Sequence, residues 1–467
     1  MSYETLVLLI VAHVDRIDAR TRHCVGILPR SAILPEANMT RNSYPRFFYP
    51  LVWGVRSDKR PPIFALVIAV VLGGCNNDAA IQTPLQVSVV EMDSPAGPGS
   101  GESRLTSGSD GPILSWLERS VEGGHELRFS QVREGSWSEA RTVARSERFF
   151  VNWADFPSVS EAPDGSMYAH WLARGEAGGY DYGVRIARST DGGTSWGDPW
   201  TPHEDDSPTE HGFVSTVSYE DRLGFTWLDG RAYVAGEDGT PPTREMSIRY
   251  REVGPGNTPG PEMLIDGRVC DCCQTSAAMT SDGPVVVYRN RTSDEIRDIY
   301  IARLIEGEWT EGRPVSDDGW EIAGCPVNGP VVVADGNRVA VAWFSAPGDV
   351  ARVKVAFSDD GGATFGVPNV VDDGRPMGRV GLVLTTDGSA IVSWLEGGGG
   401  QGAEVRIRHV ASDGSSSLSA PVTSSSAERA SGFPQLVQNL DGSLVISWTD
   451  AGAEEARVRV ARIEMSD

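Results

Sequence analysis

Lysine is nearly missing from this chain. Only Lys59 and Lys354 occur in 467 residues, so almost all of the positive charge is arginine. Basic side chains as a whole are scarce, 41 against 64 acidic ones, for a formal net charge of −23. That balance excludes a nucleic-acid partner, because phosphate binding needs a basic surface. The uncharged stretch 63–72 is too short to span a bilayer. Cysteines number six, and those at 270–273 and 325 have no histidine beside them in sequence. A nucleophilic thiol there would have no visible base.

Turn formers and tryptophan are what the chain has in quantity. Its 53 glycines, 29 prolines and 13 tryptophans point to short strands joined by many turns, and 40% apolar residues suffice for a packed core. From about residue 101 a unit repeats: a polar strand, an Asp-Gly turn, an apolar strand and an aromatic at its end. The aromatics are Trp116, Trp171, Trp227, Tyr288, Trp343, Trp394 and Trp448, spaced 51 to 61 residues apart. Turns stand at Asp110-Gly111, Asp164-Gly165, Asp282-Gly283, Asp335-Gly336, Asp387-Gly388 and Asp441-Gly442, with Asp221-Arg222 in the third repeat. Asp-Gly between alternating runs predicts a hairpin whose two central residues both take positive φ. A third strand of period-2 alternation follows each hairpin, and a weaker fourth follows most of them. This pattern predicts an all-β fold, a β-propeller of four-stranded blades. Seven hairpins favour seven blades, with six as the alternative. The last repeat stops at its third strand, so the alternating segment 85–92 is expected to supply the missing strand and close the ring. Closure leaves no bare edge.

Three stretches carry resemblances to known families. Ser189-Thr190-Asp191-Gly192-Gly193-Thr194-Ser195-Trp196 and Ser358-Asp359-Asp360-Gly361-Gly362-Ala363-Thr364-Phe365 resemble the Asp box, or BNR repeat, of sialidase-type propellers, Ser-x-Asp-x-Gly-x-Thr-Trp. Ser195 stands for the threonine of the motif and Phe365 for its tryptophan. With the repeat, the likeness covers about residues 101–467. It implies a sialidase-like propeller in which Ser189, Asp191, Gly193, Trp196, Ser358, Asp360, Gly362 and Phe365 build turns on the face opposite the active site. Near the start, Arg56, Lys59 and Arg60 precede the apolar run, and Leu72-Gly73-Gly74-Cys75 resembles the bacterial lipoprotein signal. That likeness implies lipid on Cys75 and removal of residues 1–74, of which the first 50 read as a mis-called start. Residues 75–100 then form a tether that includes the closing strand. The expected address is the bacterial cell envelope, anchored by lipid alone, with Asn76 favouring the outer membrane.

In such a ring, the loop leading into each innermost strand shares a face with the loop leaving the second strand. Ten residues before Asp221, Asp282, Asp335 and Asp387 stand His211, Cys272, Cys325 and Met377, at one register on that face. Just after the second-strand aromatics lie Glu118, Asp229, Asn290, Glu396 and Asp450, with Arg231, Arg289, Arg291, Arg297 and Arg379 in or beside the same loops. Three readings stand for the cysteines. A Cys272–Cys325 disulfide would staple neighbouring blades in an oxidising compartment. A soft-metal site for copper or zinc would use Cys270, Cys272, Cys273 and Cys325 with His211. The third is a redox-active thiol. Likeness to sialidases implies an arginine cluster for a substrate carboxylate and acid–base carboxylates. Arg231, Arg291, Arg379, Asp229 and Glu396 are the catalytic candidates. The sialidase motif Phe/Tyr-Arg-Ile-Pro is not found near the start of the first repeat. The expected partner is a glycan or a small acidic ligand bound at the central face, and the likeness to sialidases implies hydrolysis there as the enzymatic form of that reading. A metal-handling envelope protein and a non-catalytic protein-interaction propeller are the alternatives.

Overall fold

The computed structural model describes residues 83–236, 239–398, 402–452 and 454–466. The segment 1–74 and Cys75, with the leader and lipidation expectations that rest on them, lie outside the described residues. Seven antiparallel sheets surround a central channel as the blades of a propeller. Blade 1 begins with Ser100–Gly108, Gly111–Arg119 and His125–Arg133; blade 4 with Ser276–Thr280, Gly283–Arg289 and Ile299–Ile305; and blade 6 with Pro376–Leu384, Ala390–Gly397 and Gly402–Val410. In blade 2 the outer edge is reduced to one bridge between Ile186 and Trp200. Blade 7 takes its outer strand from the other end of the described chain. Gln86–Met92 pairs antiparallel with Arg457–Ser466, in a register running from Gln86 opposite Ser466 to Met92 opposite Val460. This is the expected closure.

The hairpin turns form where expected but by a different geometry. None of the six turn aspartates has positive φ; the glycines alone do, as at Gly388 with φ +86°. The Asp387 carboxylate instead accepts the Ser389 N–H at 3.0 Å, and Asp164 and Asp441 cap Ser166 and Ser443 in the same way. These are side-chain-capped turns, in which the Asp carboxylate replaces a backbone acceptor.

The second strands are buried on both faces, since each blade is sandwiched between two others. Their aromatics Trp116, Trp227, Trp343 and Trp394 are at most 1% exposed. At the turns resembling Asp boxes, Asp191 accepts the Thr194 and Ser195 N–H groups, and the Ser189 hydroxyl accepts the Gly193 N–H at 2.8 Å. Asp360 and Ser358 repeat the pattern toward Thr364 and Gly362. Hydrogen bonds from Ser195 hold the Asp191 carboxyl well below the usual range. Each turn docks on the preceding blade: Trp196 meets Phe129 edge to face at 5.9 Å, and Phe365 packs on the core around Ile301. A Cβ at Gly193 would stand 2.2 Å from the Phe129 ring.

Innermost strands line a channel of about 550 Å³ that runs from the hairpin turns up to Gln274, Phe433 and Arg104. At that upper end the loop 147–157 crosses over it. Gln274 of blade 4 donates to Ala154 O, the Phe213 N–H of blade 3 bonds Asp155, and Trp153 stacks on Phe433 of the blade 7 lead-in. The channel is thereby capped on the face that carries the lead-in loops.

Candidate functional site

Several sequence-derived candidates belong to the scaffold of this face. On a strand, residues i and i+2 share a side, so a carboxylate two beyond a tryptophan can accept its indole N–H. Trp116 donates to Glu118, Trp227 to Asp229 and Trp394 to Glu396, at 3.0, 3.0 and 2.6 Å. Blade 5 has Ser345 at that position, and Trp343 reaches Asp318 in the loop before its blade instead, at 2.8 Å. Tyr288 is buried and directs its hydroxyl to Asp266, at 2.8 Å. Asp229 is fully buried and also accepts Arg231, which pairs as well with Glu262. Glu396 is buried and also accepts the Arg375 N–H. Arg379, 6% exposed, donates to Ser431 Oγ, Gly432 O and Glu428 O, and so ties blade 6 to the next lead-in loop. Burial lowers its pKa to about 10. Arg291 is half-buried and bidentate on Glu295. Among the described residues the three candidate arginines share no partner, and each already has acceptors of its own.

The cysteines do come together. Cys272 and Cys325 form a disulfide that joins the lead-in loops of blades 4 and 5. Cys270 and Cys273 remain free and buried, with their sulfurs 2.9 Å apart. Burial alone would raise the Cys270 pKa. A hydrogen bond with Cys273, the Cys272 amide and the charges of Arg289 and Arg297 outweigh it and bring the thiol to about 7. Cys273 is pushed upward by burial and by its neighbour. His211 lies apart from the sulfurs. Its ring stacks on His203 at 4.0 Å, and Nε2 stands 3.0 Å from Asp205 and 3.7 Å from Asp229. Met377 packs against the apolar core of blades 6 and 7. The register therefore unites Cys272 with Cys325 but not His211 or Met377 with them. For copper or zinc, the sulfurs of Cys270, Cys272 and Cys273 lie within 4.8 Å of one another, but the disulfide leaves only Cys270 and Cys273 as thiol donors.

One cluster escaped the sequence reading. Glu210 and Asp271 stand immediately before His211 and Cys272, one place off the register. Glu210 is half-buried and takes a hydrogen bond from the Tyr182 hydroxyl at 3.4 Å; Asp271 takes one from Tyr233 at 3.2 Å and faces Arg297 at 3.4 Å. Asp155 is 3% exposed, with Oδ2 bonded to the Phe213 N–H at 2.8 Å. Gly212 makes the approach possible, because a Cβ there would lie 2.3 Å from the Asp155 carboxylate and 2.9 Å from the Tyr182 ring. Burial raises both acids to about 7, Asp271 adding to the effect at Glu210 and Glu210 adding to it at Asp155. Burial also pushes the Tyr233 phenol upward, followed by the Asp271 charge. A carboxyl poised near neutrality beside a second carboxylate can both give and take a proton.

Beside this cluster lies an aromatic platform. Trp153, two residues before Asp155, is half-buried and stacks on Phe433 with ring centres 5.6 Å apart. The Arg379 and Arg429 guanidinium groups lie 5.2 and 5.7 Å from its ring. Arg429 is exposed and has no carboxylate partner among the described residues.

No protein-family model matches the sequence, and no curated protein does. Solved structures do resemble it. A protein of unknown function from Dyadobacter fermentans is 12% identical, with 82% of this chain and 99% of that one covered and a TM-score of 0.45. The NanB sialidase of Streptococcus pneumoniae is 10% identical over 82% of this chain and 71% of its own, with a TM-score of 0.42. An ulvan lyase of polysaccharide lyase family PL25, solved with GlcA(1-4)Rha3S bound, is 10% identical over 79% of this chain and 95% of its own, with a TM-score of 0.53. At that identity the likeness to the lyase is one of fold.

Proposed function

We propose that the capped face binds an acidic glycan, stacked on Trp153 with Arg429 countering its charge, and that Glu210 supplies acid–base chemistry for cleaving a glycosidic bond there. The observation that carries this reading is the join between platform and acids. One loop presents Trp153 and Asp155, and Asp155 is coupled to Glu210, a carboxyl held near 7. Sugar rings offer C–H faces to an aromatic ring, and a proton donor of near-neutral pKa is what a glycosidic leaving group needs. A lyase of the same fold holds a GlcA-containing unit, which supports an acidic glycan as the ligand class. The two Ser-x-Asp turns support membership among Asp-box propellers, and the Leu72–Cys75 box supports a lipid-anchored place in the cell envelope.

The test is a glycan array followed by calorimetry, and turnover of fluorogenic sialosides and uronides. Arg429→Ala should weaken binding about tenfold without changing the fold. Glu210→Gln should retain binding and lose turnover by about 100-fold or more. Failure of the wild type to bind any acidic glycan would overturn the reading. Binding without turnover would remove the enzymatic half and leave a glycan-binding propeller.

A further inference from the structure

We propose that the four clustered cysteines form a thiol–disulfide exchange site, in which the Cys272–Cys325 bridge and a Cys270–Cys273 bridge are alternative positions of a single disulfide. Three sulfurs sit on one short turn. Cys270 Sγ is 3.9 Å from Cys272 Sγ, a member of the existing bridge, and 2.9 Å from Cys273 Sγ. The pairs differ sharply in exposure: Cys270 and Cys273 are 1% and 2% exposed, Cys272 is half-buried and Cys325 is exposed. Arg297 Nη1, 3.4 Å from Cys270 Sγ, favours a thiolate at that position.

The exchange balances within the chain. The Cys270 thiolate attacks Cys272 Sγ, the Cys272–Cys325 bond breaks, and the electron pair leaves on Cys325. Cys273, giving up its proton, then attacks Cys270 Sγ. The transient Cys270–Cys272 bond breaks, a Cys270–Cys273 bond forms, and Cys272 leaves as thiolate and is protonated. One disulfide and two thiols stand on each side, so no outside oxidant or reductant enters. The consequence is chemical: the oxidising equivalent moves into the core and two thiols appear in the lead-in loops, that of Cys325 on the surface. There, Cys325 can meet a disulfide or an electrophile carried by a partner. A purely structural staple would need neither the second pair nor its contact with the first.

The native full chain is incubated with iodoacetamide, digested without reduction and mapped. Arg289 and Arg303 separate Cys325 from the other three in a tryptic digest, so linked and free Cys325 are resolved by mass. Exchange predicts alkylated Cys325 and Cys272, with Cys270 bridged to Cys273. Cys270→Ser should cut alkylation of Cys325 at least tenfold. Cys273→Ser should leave Cys325 reactive, because the first step survives, and it keeps the test open if the other variant does not fold. Cys325 remaining linked in every molecule, with Cys270 and Cys273 recovered as thiols whether alkylated or not, would overturn the proposal. So would two coexisting disulfides with no free thiol.

Discussion

Asp155 should make the protein less stable as pH rises, and Asp155→Asn should abolish that loss. Its carboxyl is 3% exposed, and burial moves its pKa from an ordinary 3.8 to about 7 against a single opposing hydrogen bond from Phe213. Between those two values the folded chain holds a proton that the unfolded chain releases. Stability therefore declines with pH across that window. Below about 4 the penalty is absent, and above about 7 it is fully present. A rise of about three pK units at 1.36 kcal/mol each gives a penalty on the order of 4 kcal/mol at pH 8. That is a large share of the roughly 5–15 kcal/mol that holds a typical domain together. Asparagine keeps the shape and can still accept the Phe213 N–H. In urea unfolding at pH 4, 6 and 8, wild type and variant should nearly coincide at pH 4, and the variant should gain several kcal/mol by pH 8. A difference that stays constant from pH 4 to pH 8 would refute the reasoning. The variant also removes a negative charge beside Glu210, so any pH–rate limb governed by Glu210 should move toward lower pH.

Deleting residues 86–92 should lower the melting temperature by several degrees, since the strand contributes a ladder of net bonds worth about 1 kcal/mol each and covers the edge of Arg457–Ser466; an unchanged melting temperature would mean that the ring is held by other contacts. Glu396→Ala should cost about 2–3 kcal/mol by stranding the Trp394 indole and the Arg375 amide, with glycan binding per folded molecule unchanged, as calorimetry would show. Intact-mass measurement of protein from bacterial membranes should find diacylated or triacylated Cys75 as the first residue, and a chain starting at Met1 without lipid would end the lipoprotein reading.

The architecture was legible because a propeller writes its period into the chain. Turn glycines and strand-end aromatics answer to local backbone and packing demands that recur in every blade, and the closing strand follows from the one blade left short. The Cys272–Cys325 pairing was legible by the same counting, since equal positions in the lead-in loops of neighbouring blades lie close together. What counting could not show is how the polar side chains are shared out. Asp229 and Glu396 look like site carboxylates in sequence, yet the indoles two residues back claim both. Tryptophan supplied that signal, because a buried indole N–H must find an acceptor.

The misplacement has a geometric cause. Two of the register positions, His211 and Met377, are strand residues whose packing decides their neighbours, whereas Cys272 and Cys325 stand in the lead-in loops before their strands. His211 illustrates this, 1% exposed between a stacked His203 and two carboxylates. Glu210, just before it, bridges Tyr182 and accepts the Gly230 N–H through its backbone, while its half-buried side chain keeps a path to solvent. A carboxyl that is both raised in pKa and open to a ligand needs this intermediate place: full exposure would return it to its ordinary value, and full burial, as at Asp155, shuts it away. In blade 3 that place falls one residue before the register position, and Glu210→Gln is the substitution that tests whether the carboxyl there carries the chemistry.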